Sequence, residues 1–122
     1  MTVLNKREFG EQLESFAQTT LKKSGCKIVE TNFLCKLGEI DIILKDQNTL
    51  VFVEVRYRKN ASFGGALESV DYKKQQKIIK AAQLYLVENK LSNTMPCRFD
   101  VFAIEGPLNR LKYQWIKNAF SE

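Results

Sequence analysis

Between Asn5 and Ser24 the side chains Phe9, Leu13, Phe16, Thr20 and Leu21 recur at three- and four-residue intervals. That spacing predicts a helix with a single buried stripe, and Gly25 follows as its C-terminal stop. Cys26 to Phe33 then changes to strand chemistry, and a longer strand-rich stretch runs from Gly38 to Arg58. It reads Gly-Glu-Ile-Asp-Ile-Ile-Leu, a polar turn at Lys45–Thr49, then Val-Phe-Val-Glu-Val-Arg-Tyr-Arg. Two β-branched and aromatic arms around turn residues predict a β-hairpin. In its second arm Phe52, Glu54, Arg56 and Arg58 share one face, and Val51, Val53, Val55 and Tyr57 the other. Apolar residues on both faces imply a sheet covered on both sides.

Tyr57 to Leu67 is polar and contains Gly64-Gly65, which predicts a loop. A second helix is expected from Val70 to Asn89, capped by Ser69, with Ile78, Ala81, Ala82, Tyr85 and Leu86 as its buried face. Lys74 and Gln75 lie one turn before Ile78 on that inward side. Ser92 to Pro96 breaks the chain, Arg98–Glu105 reads as a fourth strand, and Leu111–Ile116 as a short fifth strand holding Trp115. The tail to Glu122 carries no pattern. The elements predict an α/β fold, one domain over residues 1–122, with a mixed central β-sheet flanked by helices in the order α-β-β-β-α-β-β.

Composition narrows the chemistry. With 122 residues the chain suits one domain. The formal net charge of +5 favours polyanionic partners. No apolar run is long enough to span a membrane and no signal-peptide core opens the chain, so a cytoplasmic protein is expected. Cys26, Cys35 and Cys97 are odd in number and widely spaced, which argues against a disulfide framework or structural zinc and for reduced thiols. Histidine is absent. That removes Ser-His-Asp and Cys-His nucleophiles, His-bound zinc and any His general base. Catalysis, if present, falls to carboxylates, Lys, Arg, Tyr and a metal.

Two acids interrupt the apolar arms of the hairpin: Asp41 between Ile40 and Ile42, and Glu54 between Val53 and Val55. Buried carboxylates are costly unless paired or bound to a cation. With Gln47-Asn48 as a two-residue loop, Asp46 pairs with Thr49, Asp41 falls opposite Glu54, and Glu39 falls opposite Arg56. Opposed side chains share a face with Cβ atoms roughly 4.5–5.5 Å apart. A hard divalent cation between two such carboxylates suits Mg²⁺- or Mn²⁺-assisted phosphoryl chemistry. A structural network of acid–arginine pairs reads equally well from the pattern. Glu14 lies at the border of the first helix stripe, where a solvated helix-edge acid is the ordinary reading. Lys74 and Gln75 either extend to the helix edge or border the acids.

Gly10-x-x-x-Glu14-x-x-Ala17, Gly38-Glu-Ile-Asp41, Val51-Phe-Val-Glu54-Val-Arg56-Tyr-Arg58, Phe63-Gly-Gly, Lys74-Gln75 and Arg98-Phe-Asp100 occur here in order. Over nearly its whole length the chain thereby resembles the YraN family of uncharacterised bacterial proteins. The resemblance implies a restriction-endonuclease-like PD-(D/E)XK fold and kinship with Holliday-junction resolvases. It implies catalytic roles for Glu14, Asp41, Glu54 and Arg56, with Asp41 and Glu54 as metal ligands. The sequence departs from many such proteins in having Arg56 where they have Lys, and Arg cannot act as a base. Three functions follow as expectations. One is a metal-dependent endonuclease acting on DNA, with branched or damaged DNA among its candidate substrates. Another is a non-catalytic nucleic-acid-binding protein, and the third a structural interaction module; a homodimer is compatible with each. Nucleic-acid contacts are expected from Arg56, Arg58, Lys59, Lys73, Lys74, Gln75 and Lys77.

Overall fold

The computed structural model describes residues 4–59, 63–91 and 94–122, except for the side chains of residues 63 and 64. Helix α1 spans Lys6–Lys23 and is capped by Asn5, whose side chain accepts the Glu8 N–H. Strands β1 (Lys27–Cys35), β2 (Gly38–Asp46) and β3 (Thr49–Arg58) follow, then helices α2 (Phe63–Glu68) and α3 (Tyr72–Glu88). Strand β4 (Cys97–Glu105), a 3₁₀ turn at Leu108–Arg110 and β5 (Lys112–Phe120) complete the order. The five strands form one sheet in the spatial order β1-β2-β3-β4-β5. All neighbours are antiparallel except β3 and β4, which run parallel across the α2–α3 connection. The mixed α/β arrangement expected from the pattern is thus present.

The two faces of the sheet carry separate cores. Leu13, Ala17 and Leu21 of α1 pack on Ile42, Leu44, Val51, Val53, Phe102 and Ile104. On the other face, Ile78, Ile79, Ala82 and Tyr85 of α3 pack on Ile43, Leu50, Phe52 and Phe99. Fully burying each Leu, Ile, Val or Phe side chain among these stabilises the fold by about 1.5–3 kcal/mol. Two helices on opposite faces explain why β3 is apolar along both of its sides.

Four expectations are corrected. Gly64-Gly65 lie within helix α2 and not in a loop, and β3 runs on to Arg58 before it; residues 60–62 lie outside the described residues. Ser69 does not cap the second long helix, because its hydroxyl donates to the Ala66 carbonyl. The cap is Asp71, which accepts the Lys74 N–H at 2.8 Å, so α3 begins at Tyr72. Strand β5 is longer than Leu111–Ile116. It continues past a bulge to Phe120, whose ring stacks on Phe99 at 5.2 Å. A buried aromatic anchor thus extends pairing through a segment with no clear alternation.

The hairpin register is as predicted, with Asp46↔Thr49, Lys45↔Leu50 and onward to Ile42↔Val53. There the β2–β3 ladder stops, whereas β3 stays paired with β4 as far as Arg58↔Glu105. The fourth correction follows: Glu39 pairs with Leu34 of β1 and not with Arg56, which lies opposite Ala103. Alternation in the β1–β2 hairpin also breaks at this point. Ile42 packs under α1, yet Ile40, two residues earlier, packs under α3 together with its partner Phe33. Residues two apart in a regular strand share a face. Asn32, in the left-handed region at φ 54, and Asp41 occupy the turnover. The outer half of the β1–β2 hairpin is therefore rolled over onto α3, and β2 diverges from β3.

Candidate active site

The divergence of β2 from β3 positions the two acids. Beyond Ile42↔Val53 the Val55 N–H is without its ladder partner on β2, and the Asp41 carboxylate accepts it at 2.8 Å. Glu54 is one residue earlier on β3, is 5% exposed, and meets Asp41 within hydrogen-bonding reach. Burial, and then the facing Glu54 carboxyl, push Asp41 up to about 7, against the pull of the Val55 N–H and the Lys74 charge. A second carboxylate so close disfavours the Asp41 charge, so Asp41 keeps its proton to a higher pH than an ordinary aspartate.

Cations close on the pair from two elements. Arg56, two residues along β3, places its Nη2 2.9 Å from Glu54 Oε2. Lys74, in the first turn of α3, brings its Nζ to 3.6 Å from the same oxygen. The inward direction expected for Lys74 is what the structure shows. Arg56 Nε is buried and has no hydrogen-bond partner among the described residues, an uncommon condition for a donor. Among those residues, the guanidinium thus leaves one N–H beside the acids without an acceptor.

Glu14 of α1 lies at the edge of this group. Its Oε1 accepts the Asn32 Nδ2 at 2.6 Å. Burial raises its pKa despite that bond, with further upward pushes from Asp41, Glu39 and Glu11. Glu14 is thus close enough to feel Asp41 but is held by Asn32. Asn32 is a residue that the sequence pattern did not single out. An Asn inside a strand was the available signal, since Asn is depleted in strands and tolerates the left-handed region.

The remaining expected contact residues disperse. Arg58 and Lys59 are exposed at the end of β3, and Lys73 and Lys77 are exposed along α3. Gln75 turns back, donating from Nε2 to the Val70 carbonyl at 3.0 Å. It serves the α2–α3 junction rather than an open surface.

The donor set suits a hard divalent cation: two carboxylates forced together, one of which burial and its neighbour push up to about 7. A cation would relieve that repulsion. Among the described residues no three His, Cys, Asp or Glu side chains converge on one point; Asp41 and Glu54 are the two carboxylates placed together that could hold such an ion.

A second charged cluster lies among the residues of β4 and β5. Asp100 is fully buried and accepts from Arg98 Nε at 3.0 Å, Trp115 Nε1 at 2.8 Å and the Asn118 N–H at 2.9 Å. Arg98 also reaches Asp46 at 2.9 Å, and Lys117 sits 4.4 Å from the Trp115 ring centroid. Every oxygen of Asp100 is matched, which is the condition for a buried carboxylate to be tolerated. This cluster ties the β2–β3 turn to β4 and β5.

Fold and site together define an α/β protein whose mixed sheet opens between two strands to present paired carboxylates flanked by an arginine and a lysine. The model of the family described as "Uncharacterised protein family UPF0102" matches residues 13–104, which include every residue of the paired-acid site. A "UPF0102 protein" of Pseudomonas syringae pv. syringae (strain B728a) is 48% identical over 116 residues, covering 94% of each chain. One from Alcanivorax borkumensis is 50% identical over 117 residues, covering 95% of this chain and 94% of that one. The chain belongs to the UPF0102 family, which is the YraN family. No helix among the described residues is long and apolar enough to cross a membrane.

Proposed function

We propose that this protein is a metal-dependent endonuclease acting on DNA, with Asp41 and Glu54 holding Mg²⁺ or Mn²⁺. The observation that carries the reading is the Asp41–Glu54 pair at the point where β2 leaves β3, with Arg56 and Lys74 on Glu54. The α-β-β-β-α-β-β order agrees with the restriction-endonuclease-like fold implied by the sequence motifs. The bound ion would supply Lewis-acid polarisation of a phosphodiester and an acidified water. The rest falls to the chain. Asp41 and Glu54 would hold the cation through their carboxylate oxygens, and Asp41, whose pKa burial and Glu54 raise, would give up its proton to solvent on binding it. Arg56 turns its Nε–H and its terminal nitrogens toward phosphate oxygens, where a guanidinium binds in two-pronged fashion. Lys74 adds a point charge from the helix side. Glu14, anchored by Asn32, orients water at the rim.

A second reading, a nucleic-acid-binding protein without cleavage, is favoured by one feature. Glu54 already has two cationic partners, and Arg56 cannot take a proton from water. Incubation with labelled four-way, flayed and linear DNA in Mg²⁺ or Mn²⁺ separates the two. Cleavage that vanishes in Asp41→Asn and Glu54→Gln supports the nuclease. Salt-sensitive binding without cleavage, with a slope of about −0.9 per phosphate contact on duplex DNA, selects the second reading. Absence of both binding and cleavage refutes both.

A further inference from the structure

The tip of the β1–β2 hairpin is built in a way that the paired-acid site does not require. Cys35 pairs with Gly38, so Lys36 and Leu37 form a two-residue loop. Leu34 is 76% exposed and Leu37 44% exposed, at opposite ends of this tip. Two large apolar side chains exposed within four residues at one hairpin tip form a patch that a partner can cover. The tip is also held firmly. The Cys35 thiol donates to the Gly38 carbonyl at 3.4 Å. Phe33 meets Tyr85 of α3 edge-on at 5.3 Å. Gly38, at φ +152, lies so close to α3 that a Cβ there would be 3.4 Å from both Lys77 Cβ and the Lys77 carbonyl.

The charges around the tip select the occupant. Lys36 stands between the leucines, and the close approach of Gly38 brings Lys77 alongside, with Lys73 one turn earlier on the same face of α3. Glu39 is the acid of the tip, set across from Leu34. A second copy of this chain meeting tip to tip would bring like charges together, whereas a polyanion would be attracted. The same α3 turn carries Lys74, which touches Glu54, so this basic flank is continuous with the acid pair.

Resting on the nuclease-site reading, we infer that Leu34 and Leu37 form a rigid wedge that enters unstacked bases, so that the site takes DNA with a branch point or other break in stacking rather than uniform duplex. Apolar side chains inserted at base steps are an established way for proteins to hold distorted DNA. Lys36, Lys73 and Lys77 grip the flanking phosphates while the leucines occupy the gap between bases. A wedge must not yield when pushed, and the seating of Gly38 and Phe33 on α3 provides that.

The test is metal-free binding in EDTA, read by fluorescence anisotropy on a four-way junction and a linear duplex of equal length, with 2-aminopurine at the branch point. Wild type is expected to prefer the junction and to raise the 2-aminopurine signal. Leu34→Ser/Leu37→Ser, whose substituted side chains are solvent-exposed, should lose that preference by roughly tenfold while keeping its duplex affinity, since apolar insertion is made only where the bases are unstacked. Lys73→Ala/Lys77→Ala should weaken both substrates alike. Unchanged junction preference in the leucine variant overturns the wedge and leaves the nuclease reading standing. A wild type that binds neither DNA overturns the parent reading and the wedge together. A wild-type dimer that the leucine variant converts to monomer, with DNA binding intact, identifies the tip as a self-association surface and overturns the wedge alone.

Discussion

Replacing Asp41 by Asn should make the metal-free protein more stable at pH 8, not less. Asp41 is lifted from the ordinary 3.8 to about 7 by burial and by Glu54. The folded state therefore binds its proton more tightly than the unfolded chain. For an acid raised in this way the stabilisation is complete below the unfolded value and is lost as pH climbs toward the folded value. At about 1.36 kcal/mol per decade, the interval from 3.8 to about 7 sets a ceiling of about 4 kcal/mol lost between roughly pH 4 and pH 7. That is a large part of the 5–15 kcal/mol typical of a domain. Glu14, also raised, adds loss in the same direction. Asp46 is lowered by Arg98, so its contribution disappears only as pH falls below the ordinary carboxylate range, outside this window. An Asn at position 41 mimics the protonated acid: its oxygen accepts the Val55 N–H and its amide donates to Glu54. Urea unfolding in EDTA should show wild type weakening from pH 5 to pH 8, with Asp41→Asn nearly flat and the more stable at pH 8. Millimolar Mg²⁺ should restore wild type at pH 8 and leave the variant unmoved. A wild type equally stable at pH 5 and pH 8, or a variant weaker than wild type at pH 8, would refute the reasoning.

On the nuclease reading, Arg56→Lys should keep or raise cleavage, because an ammonium can approach the attacking water, whereas Arg56→Ala should lower it without much loss of metal-induced thermal stabilisation; junction-cleavage rates alongside melting shifts check both. Arg98→Ala strips the buried Asp100 of its charged partner and should cost about 3–5 kcal/mol in urea unfolding. Gly38→Ala combines an unfavourable φ with a Cβ 3.4 Å from Lys77, and should cost about 1–3 kcal/mol in the same measurement.

The local rules of the chain were enough for the helix stripe of α1, the Asp46↔Thr49 hairpin register and the inward side of α3, because each depends on periodicity or on a short turn. Acids set within apolar arms marked Asp41 and Glu54 by the cost of burying charge alone. Asp100, in the run Phe99–Ile104 with Arg98 two residues before it, carried the same signal but was not singled out by it. Its partners Trp115 and Asn118 come from a strand whose register no local pattern predicts, so the network emerges only in the fold. Tertiary packing also decided that the β2–β3 ladder ends at Ile42 and that Asp41, not a main-chain carbonyl, receives the Val55 N–H. It moved Arg56 away from Glu39 and onto Glu54. The cause is the turnover at Asn32 and Asp41, which seats the outer hairpin on α3. Alternation in sequence assumes a regular strand. Where packing against a distant helix is worth more than regular pairing, the strand leaves its register, and at that departure the acids meet.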